Sequence, residues 1–251
     1  ALDALVITHA HADHYGGMET ILSRFPILRY VDPGYAPEGS YFWGSRKEAE
    51  DAIENPDAFD SPAVPRLSSG LFSGINLFGG YVDAQLLSGL DTPPTGSTTA
   101  PSGTDINNTS LVFSLSWSDR RILLMGDAES HVEDQLAAAA QAGEIDLRAD
   151  VLKVGHHGSD NASTSAFLEA TLGTDKAPTT WAVISSGRRS FNGTQLPHPV
   201  ALSRLSAHLA EYHLLSTENG DEELAYGDEH NNDHVLVTIG PSGEVRACYV
   251  P

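Results

Sequence analysis

Ten consecutive residues constrain this chain more than any other stretch: Thr8-His9-Ala10-His11-Ala12-Asp13-His14-Tyr15-Gly16-Gly17. They follow Leu5-Val6-Ile7, an apolar run that reads as a buried strand. Residues two apart in an extended segment face the same way, so His9 and His11 can reach one cation together. The chain must then turn, which lets Asp13 and His14 swing toward a second cation. Gly16 and Gly17 permit a sharp entry into a short helix over residues 17–25. Neutral imidazole and carboxylate suit zinc, with manganese or iron as alternatives. The competing reading is a chance histidine cluster on a polar loop. Three histidines and an aspartate at this spacing, directly after a core strand, weigh against it.

Two more apolar strands end in ligand-type residues. Ile122-Leu123-Leu124-Met125 runs into Gly126-Asp127-Ala128-Glu129, and a carboxylate at that strand end can bridge two cations ~3.5–4 Å apart. Glu129 reads first as a solvated carboxylate at a helix start, and alternatively as a residue supporting the metal ligands. Val151-Leu152-Lys153-Val154 runs into Gly155-His156-His157-Gly158-Ser159. Neighbouring side chains diverge, so His156 is assigned to metal and His157 to the substrate side. In Pro197-His198-Pro199, His198 precedes a helix N-terminus, a place that favours anions. It either protonates a leaving group or binds a phosphate oxygen, against a structural role in a rigid turn.

The remaining pattern alternates strands and helices, as layered α/β folds do. Strands are expected over 111–117, 121–125, 151–154 and 181–185, with a closing hairpin over 235–239 and 245–250. Helices are expected over 130–142, where Ser130 and Glu133 form a capping-box pattern, from Ser163 to Leu172, and after Pro199, where Leu202, Leu205 and Leu209 share a face. Residues 32–66 and 91–105 read as loops. The acidic run 218–229 reads as a solvated loop rather than a calcium site, and Glu229-to-His234 as a solvated turn rather than a stray metal site. Tyr41-Phe42-Trp43 walls a pocket or joins the core. His131, His208 and His213 need no function.

The 251 residues are expected to form a single α/β domain, 1–251, and 40% hydrophobic content is enough for a real core. The chain opens inside an apparent core strand, so sequence upstream of Ala1 is expected. No apolar run approaches the ~18 residues needed to cross a bilayer, so no membrane partner is expected. No signal peptide is visible; the reading is of a soluble protein, cytoplasmic or exported. One cysteine, Cys248, excludes an internal disulfide and a thiolate zinc cluster, and its alternating surroundings predict a buried strand residue. The formal net charge of −20 argues against non-specific gripping of nucleic acid, which is driven by Lys and Arg. It does not exclude a nuclease, because bound cations supply local positive charge.

Taken together these motifs resemble the metallo-β-lactamase superfamily. Asn107-Asn108-Thr109-Ser110-Leu111-Val112, Gly155-His156-His157-Gly158-Ser159 and His198-Pro199 are similar, more specifically, to the soluble domain of ComEC-type competence DNA-uptake proteins and their stand-alone relatives. The resemblance runs from Leu5 to about Gly220. It implies a four-layer αββα sandwich, here without its opening N-terminal strands, with the site at one edge. It implies two divalent metal ions, zinc first and manganese second, held by His9, His11, Asp13, His14, Asp127 and His156. Asn107, or alternatively Asn108, stands where other members carry a further metal-binding histidine. ComEC proteins commonly carry Asp at the place of His9. The histidine here favours zinc and a broader hydrolase role, such as that of the phosphorylcholine esterases.

A water bridging two such cations has its pKa lowered toward ~7 and can attack phosphorus or a carbonyl carbon. Asp13, His157 and His198 are the residues expected at the reacting centre. The first functional reading is a phosphodiesterase acting on nucleic acid or a smaller phosphodiester. A lactonase or β-lactamase-type acyl hydrolase is the alternative, weakened by Asn107. A non-catalytic metal-binding module is a third reading, disfavoured by the nearly complete ligand set.

Overall fold

The computed structural model describes residues 1–35, 40–52, 82–89, 102–187, 190–191, 193–217 and 234–250. They divide into two compact units. The first comprises Ala1–Phe113 with Gly126–Ala128, and the second Ser114–Met125 with Glu129–Pro251.

The first unit begins with β1 (Leu5–Val6), followed by helices α1 (Ala12–Tyr15) and α2 (Met18–Leu22). Strand β2 (Tyr30–Val31) pairs in parallel with β1, Leu5 opposite Tyr30 and Val6 opposite Val31. Helix α3 (Tyr41–Ala52) packs on α1 and α2. The core here is Leu5, Ile7, Met18, Ile27, Tyr30, Phe42 and Ala49. Phe42 is therefore core, its ring 5.1 Å from that of Tyr15, while Tyr41 is exposed. Strand β3 (Asp83–Ser88) is a hydrogen-bonding neighbour of β4 (Val112–Trp117), and helix α4 (Gly103–Asn107) lies between them in sequence. Ser102 caps α4 in a reciprocal pair with Asp105.

In the second unit β4 continues into β5 (Arg120–Leu124) through Ser118 and Asp119, both with positive φ. Two consecutive left-handed residues are the signature of a tight hairpin turn matched to strand twist. Helix α5 (Ser130–Gln141) and strand β6 (Val151–Lys153) follow, then α6 (Ser165–Leu172) and β7 (Trp181–Ile184). The short strands β8 (Ser190–Phe191) and β9 (Thr194–Gln195) pair with each other. Helix α7 (Pro199–His208) and strand β10 (Leu214–Ser216) come next. The strand order is β10-β7-β6-β5-β4, and β5, β6, β7 and β10 run parallel. Such strands are covered by helices on their faces. Here α6 packs on α5 and on α7, with Leu136, Phe167, Leu168, Leu172 and Leu205 buried. Strands β11 (His234–Ile239) and β12 (Val245–Val250) close the chain as an antiparallel hairpin. The chain thus adopts the expected α/β class. Among the described residues no helix is long and apolar enough to cross a membrane.

Several expectations are corrected. The stretch 32–66 is not all loop, because α3 occupies Tyr41–Ala52, and the end of 91–105 is helical from Gly103. The helix over 17–25 is shorter, ending at Leu22. Cys248 is exposed, because the β11–β12 hairpin leaves one face open to solvent. Glu129, not Ser130, is the N-cap of α5, and it is buried rather than solvated. Glu133 forms no capping box. Its two carboxylate oxygens instead accept from the backbone N–H groups of Ser163 and Thr164, both at 2.7 Å. The N-cap of α6 is Thr164 rather than Ser163, and it makes no side-chain cap bond. Glu133, on a neighbouring helix, thus accepts from the N–H of the N-cap Thr164 and of Ser163 just before it, tying the start of α6 to α5. Residues 91–101, 218–229 and 230–233 lie outside the described residues.

Candidate metal centre

In the first unit, five sequence-singled residues interlock. The segment after β1 stays extended through His11, the N-cap of α1, and then turns helical, so Asp13 and His14 ride on that helix. His9 is fully buried and His11 half-buried. His9 Nε2 lies 3.1 Å from His11 Nδ1 and 3.7 Å from Asp127 Oδ2. His14 Nε2 lies 3.1 Å from the same Asp127 oxygen and 3.8 Å from Asp13 Oδ2. Asp13, His14 and Asp127 each offer a ligand atom, all within 4.8 Å of one another.

Asp127 reaches this group because Gly126 turns the chain sharply, with φ +56. A Cβ on Gly126 would come within 3.0 Å of the Ser110 side chain and 3.1 Å of Thr8 Cβ, so the approach also needs glycine. Ser110 Oγ accepts the Asp127 backbone N–H at 3.0 Å, fixing the carboxylate's root. Asn107 is buried, and its side chain is hydrogen-bonded to His11. Asn108 turns away, donating from Nδ2 to the Thr104 carbonyl of its own helix. Of the two asparagines, Asn107 therefore belongs with the histidines.

Burial pushes the His9 imidazole down to about 3, against the pull of the Asp127 carboxylate. His11 is lowered too, chiefly by burial, with Asp13 opposing. Both rings are thus neutral at pH 7, the state in which imidazole carries a lone pair for a cation. Neutral imidazole nitrogens and carboxylate oxygens converging this closely fit a divalent transition metal.

In the second unit, β6 delivers Gly155–Gly158 as a tight turn. His156 (φ 43, ψ 47) and His157 (φ 51, ψ 25) are both left-handed. Non-glycine residues in that region cost roughly 1–3 kcal/mol each, and such strain clusters at functional sites. Gly158 (φ +75) completes the turn, and a Cβ there would collide with Pro197 Cβ at 2.8 Å. The His157 ring donates from Nδ1 to the Ser185 carbonyl at 2.6 Å, at the end of β7. His156 Nδ1 lies 2.9 Å from Asn161 Oδ1 and 3.3 Å from the buried Glu129 Oε1. Both rings therefore carry their proton on Nδ1.

His198 is the N-cap of α7, and its Nδ1 accepts from the Val200 N–H at 3.3 Å. Its backbone N–H bonds the Gly158 carbonyl at 2.8 Å, which ties the His198 turn to the His156–His157 turn. An Nδ1 that accepts puts the ring proton on Nε2, the opposite tautomer to His157. His198 Nε2 is 4.0 Å from Asp160 Oδ2.

A family model described as "Metallo-beta-lactamase superfamily" matches residues 1–178. The chain belongs to the metallo-beta-lactamase superfamily. Among curated relatives, "ComE operon protein 3" of Bacillus subtilis (strain 168) is 28% identical over 228 residues, covering 90% of this chain and 25% of that protein. "Recombination protein 2" of Haemophilus influenzae is 31% identical over 204 residues, covering 81% of this chain and 20% of that protein. This superfamily member thus spans about a quarter or less of the curated relatives it matches.

Sequence reasoning missed Thr8, Asn161 and Ser185, and misplaced Glu129. Thr8 had a signal, being a hydroxyl next to the first histidine. Ser185 stands in Ile184-Ser185-Ser186-Gly187 at the end of an expected strand, but it acts through a backbone carbonyl, which any residue carries, and Asn161 acts from a loop turn.

Proposed function

We propose that the chain is a metal-dependent hydrolase of phosphodiesters, on nucleic acid or a smaller substrate. The observation that carries this is the interlocked set of His9, His11, His14 and Asp127, with Asp13 beside it. Two divalent cations, zinc first and manganese second, are the proposed cofactors. Cations bound there supply Lewis acidity and an activated water. His9, His11, Asp13, His14 and Asp127 are the proposed ligands, with Asn107 orienting His11.

For the adjacent pair we propose the reverse of the order expected from sequence. His157 Nδ1 donates to the Ser185 backbone carbonyl, with the Ser185 hydroxyl 3.4 Å from the same nitrogen, and a neutral carbonyl is the usual outer partner of a metal-bound imidazole. His156 Nδ1 is instead held between the Glu129 carboxylate and Asn161 Oδ1, and we assign its ring to the substrate side. His198, protonated on Nε2, is proposed to donate to a phosphoryl or leaving-group oxygen.

The names of the two relatives, a competence-operon protein and a recombination protein, support a nucleic-acid substrate. The net charge of −20 favours contact confined to the cation site over broad gripping of a polyanion. Both units are proposed to serve a single hydrolase domain. The test is elemental analysis followed by turnover of bis-p-nitrophenyl phosphate, linear DNA, a lactone and a cephalosporin, each with Zn²⁺ or Mn²⁺. Cleavage of the phosphodiesters alone is expected. Turnover of the lactone or cephalosporin without them would replace this reading by an acyl hydrolase, and a chain free of bound metal would remove it.

A further inference from the structure

Thr8 sits between two histidines that the sequence treats as separate ligands. Its Oγ1 lies 3.1 Å from His9 Nδ1 and 3.1 Å from His14 Nδ1. The two rings are 4.1 Å apart between centroids. Their far nitrogens both approach Asp127 Oδ2, at 3.7 Å from His9 and 3.1 Å from His14. Thr8, His9, Asp127 and His14 thus form a closed ring, and the hydroxyl is the member opposite the carboxylate.

The protons in that ring are set by its one acceptor-only group. An ionised carboxylate can only accept, so His14 Nε2 must donate to Asp127. In a neutral His14 ring, Nδ1 then holds a lone pair and accepts the Thr8 O–H. A hydroxyl has one proton and two lone pairs, so Thr8 Oγ1 in turn accepts from His9 Nδ1–H. With its proton on Nδ1, His9 has a lone pair on Nε2, which lies 3.1 Å from His11 Nδ1. In this arrangement His9 and His14 are opposite tautomers, joined by one hydroxyl.

We propose that Thr8 is a positioning residue that presents both His9 and His14 to metal through Nε2. For both rings to offer Nε2 as a ligand, both must carry their proton on Nδ1. The two lone pairs of one hydroxyl oxygen can accept both Nδ1–H groups, once the Thr8 proton turns elsewhere. His9 already has this form; His14 reaches it by moving one proton from Nε2 to Nδ1. Outer partners of this kind fix ring orientation and tautomer for metal-bound imidazoles. The backbone of Thr8 is anchored independently, its carbonyl accepting from Leu111 N–H at 2.9 Å. The hydroxyl is thus held in place by the strand end, not by the histidines. The proposal rests on the metal-centre reading above.

The test compares the full chain with Thr8→Val, which is nearly isosteric, and Thr8→Ser, which restores the hydroxyl. Zn²⁺ affinity is read by chelator competition, and ring tautomers by ¹⁵N spectra of the metal-free protein. Thr8→Val is expected to bind Zn²⁺ roughly 10–100-fold more weakly, with Thr8→Ser recovering to within about threefold of wild type. The metal-free wild type is expected to show His9 protonated on Nδ1 and His14 on Nε2. Wild-type affinity in Thr8→Val, or Thr8→Ser no better than Thr8→Val, would overturn the proposal. So would a wild-type spectrum with His9 protonated on Nε2, which decides the matter even where Thr8→Val does not fold. Failure of the metal-centre reading has a different signature: the wild type itself binds no Zn²⁺.

Discussion

In the turn after β1 the histidines hold one another; in the turn after β6 each histidine is held from outside. His9, His11 and His14 contact each other, Thr8 and Asp127, on backbone of ordinary extended and helical geometry. His156 and His157 are adjacent and point apart, their centroids 6.4 Å from each other. Their backbone is left-handed at both positions, and a different acceptor fixes each ring. Spacing of two or more residues lets one strand end gather ligands at little conformational cost. Adjacency separates two rings into two roles, and the strained backbone persists because surrounding contacts over-determine it. One of those contacts is the Gly158–His198 backbone bond, and another is the buried Glu129.

The sharpest way to break this contrast is His11→Ala. Removing one member of a mutually supporting set should cost a metal and nearly all turnover, more than the roughly 10–100-fold typical of losing an outer partner. Metal content and initial rates on bis-p-nitrophenyl phosphate measure it, and unchanged rates would show that the cluster is not the centre. A smaller, divided effect is expected at the second turn. His157→Ala should lose metal, whereas His156→Ala should keep its metal and lose turnover. The opposite pattern in elemental analysis would assign His156 to metal, as the sequence suggested.

The smallest effect concerns the frame behind the second turn. Glu133 is buried, and burial raises its carboxyl to about 7 despite the N–H groups of Thr164 and Ser163. A carboxyl raised in the folded state contributes stability that is full below its unfolded value near 4.5. That contribution is lost as pH rises through about 7, because the unfolded chain ionises first. The loss is at most about 3 kcal/mol, taking 1.36 kcal/mol per unit. Urea midpoints at pH 5 and pH 8 should fall more for wild type than for Glu133→Gln. Equal slopes would mean that Glu133 is not the titrating group.

Much of the candidate site was legible because ligand chemistry leaves a local mark. A strand ending in His-x-His-x-Asp-His, a strand ending in Gly-Asp, and a strand ending in His-His can be read without knowing where the strands go. The β4–β5 hairpin, α7 and the closing hairpin were legible for the same reason, each having its turn or cap residues beside its apolar pattern, whereas α5 was found although its expected cap was wrong. Strand β2 and strands β8 to β10 were not, since two- and three-residue strands are too short to show a period.

The sequence by itself determined which residue types are available to hold cations, and that strand ends deliver them, because spacing and side-chain chemistry are local properties. Only the tertiary structure decided that Thr8 joins His9 to His14, that Glu129 is buried against His156, and that Glu133 supports α6 rather than its own helix. Those roles depend on which donor meets which acceptor across gaps in sequence, and a hydrogen bond is set by distance and direction in space, not by position along the chain.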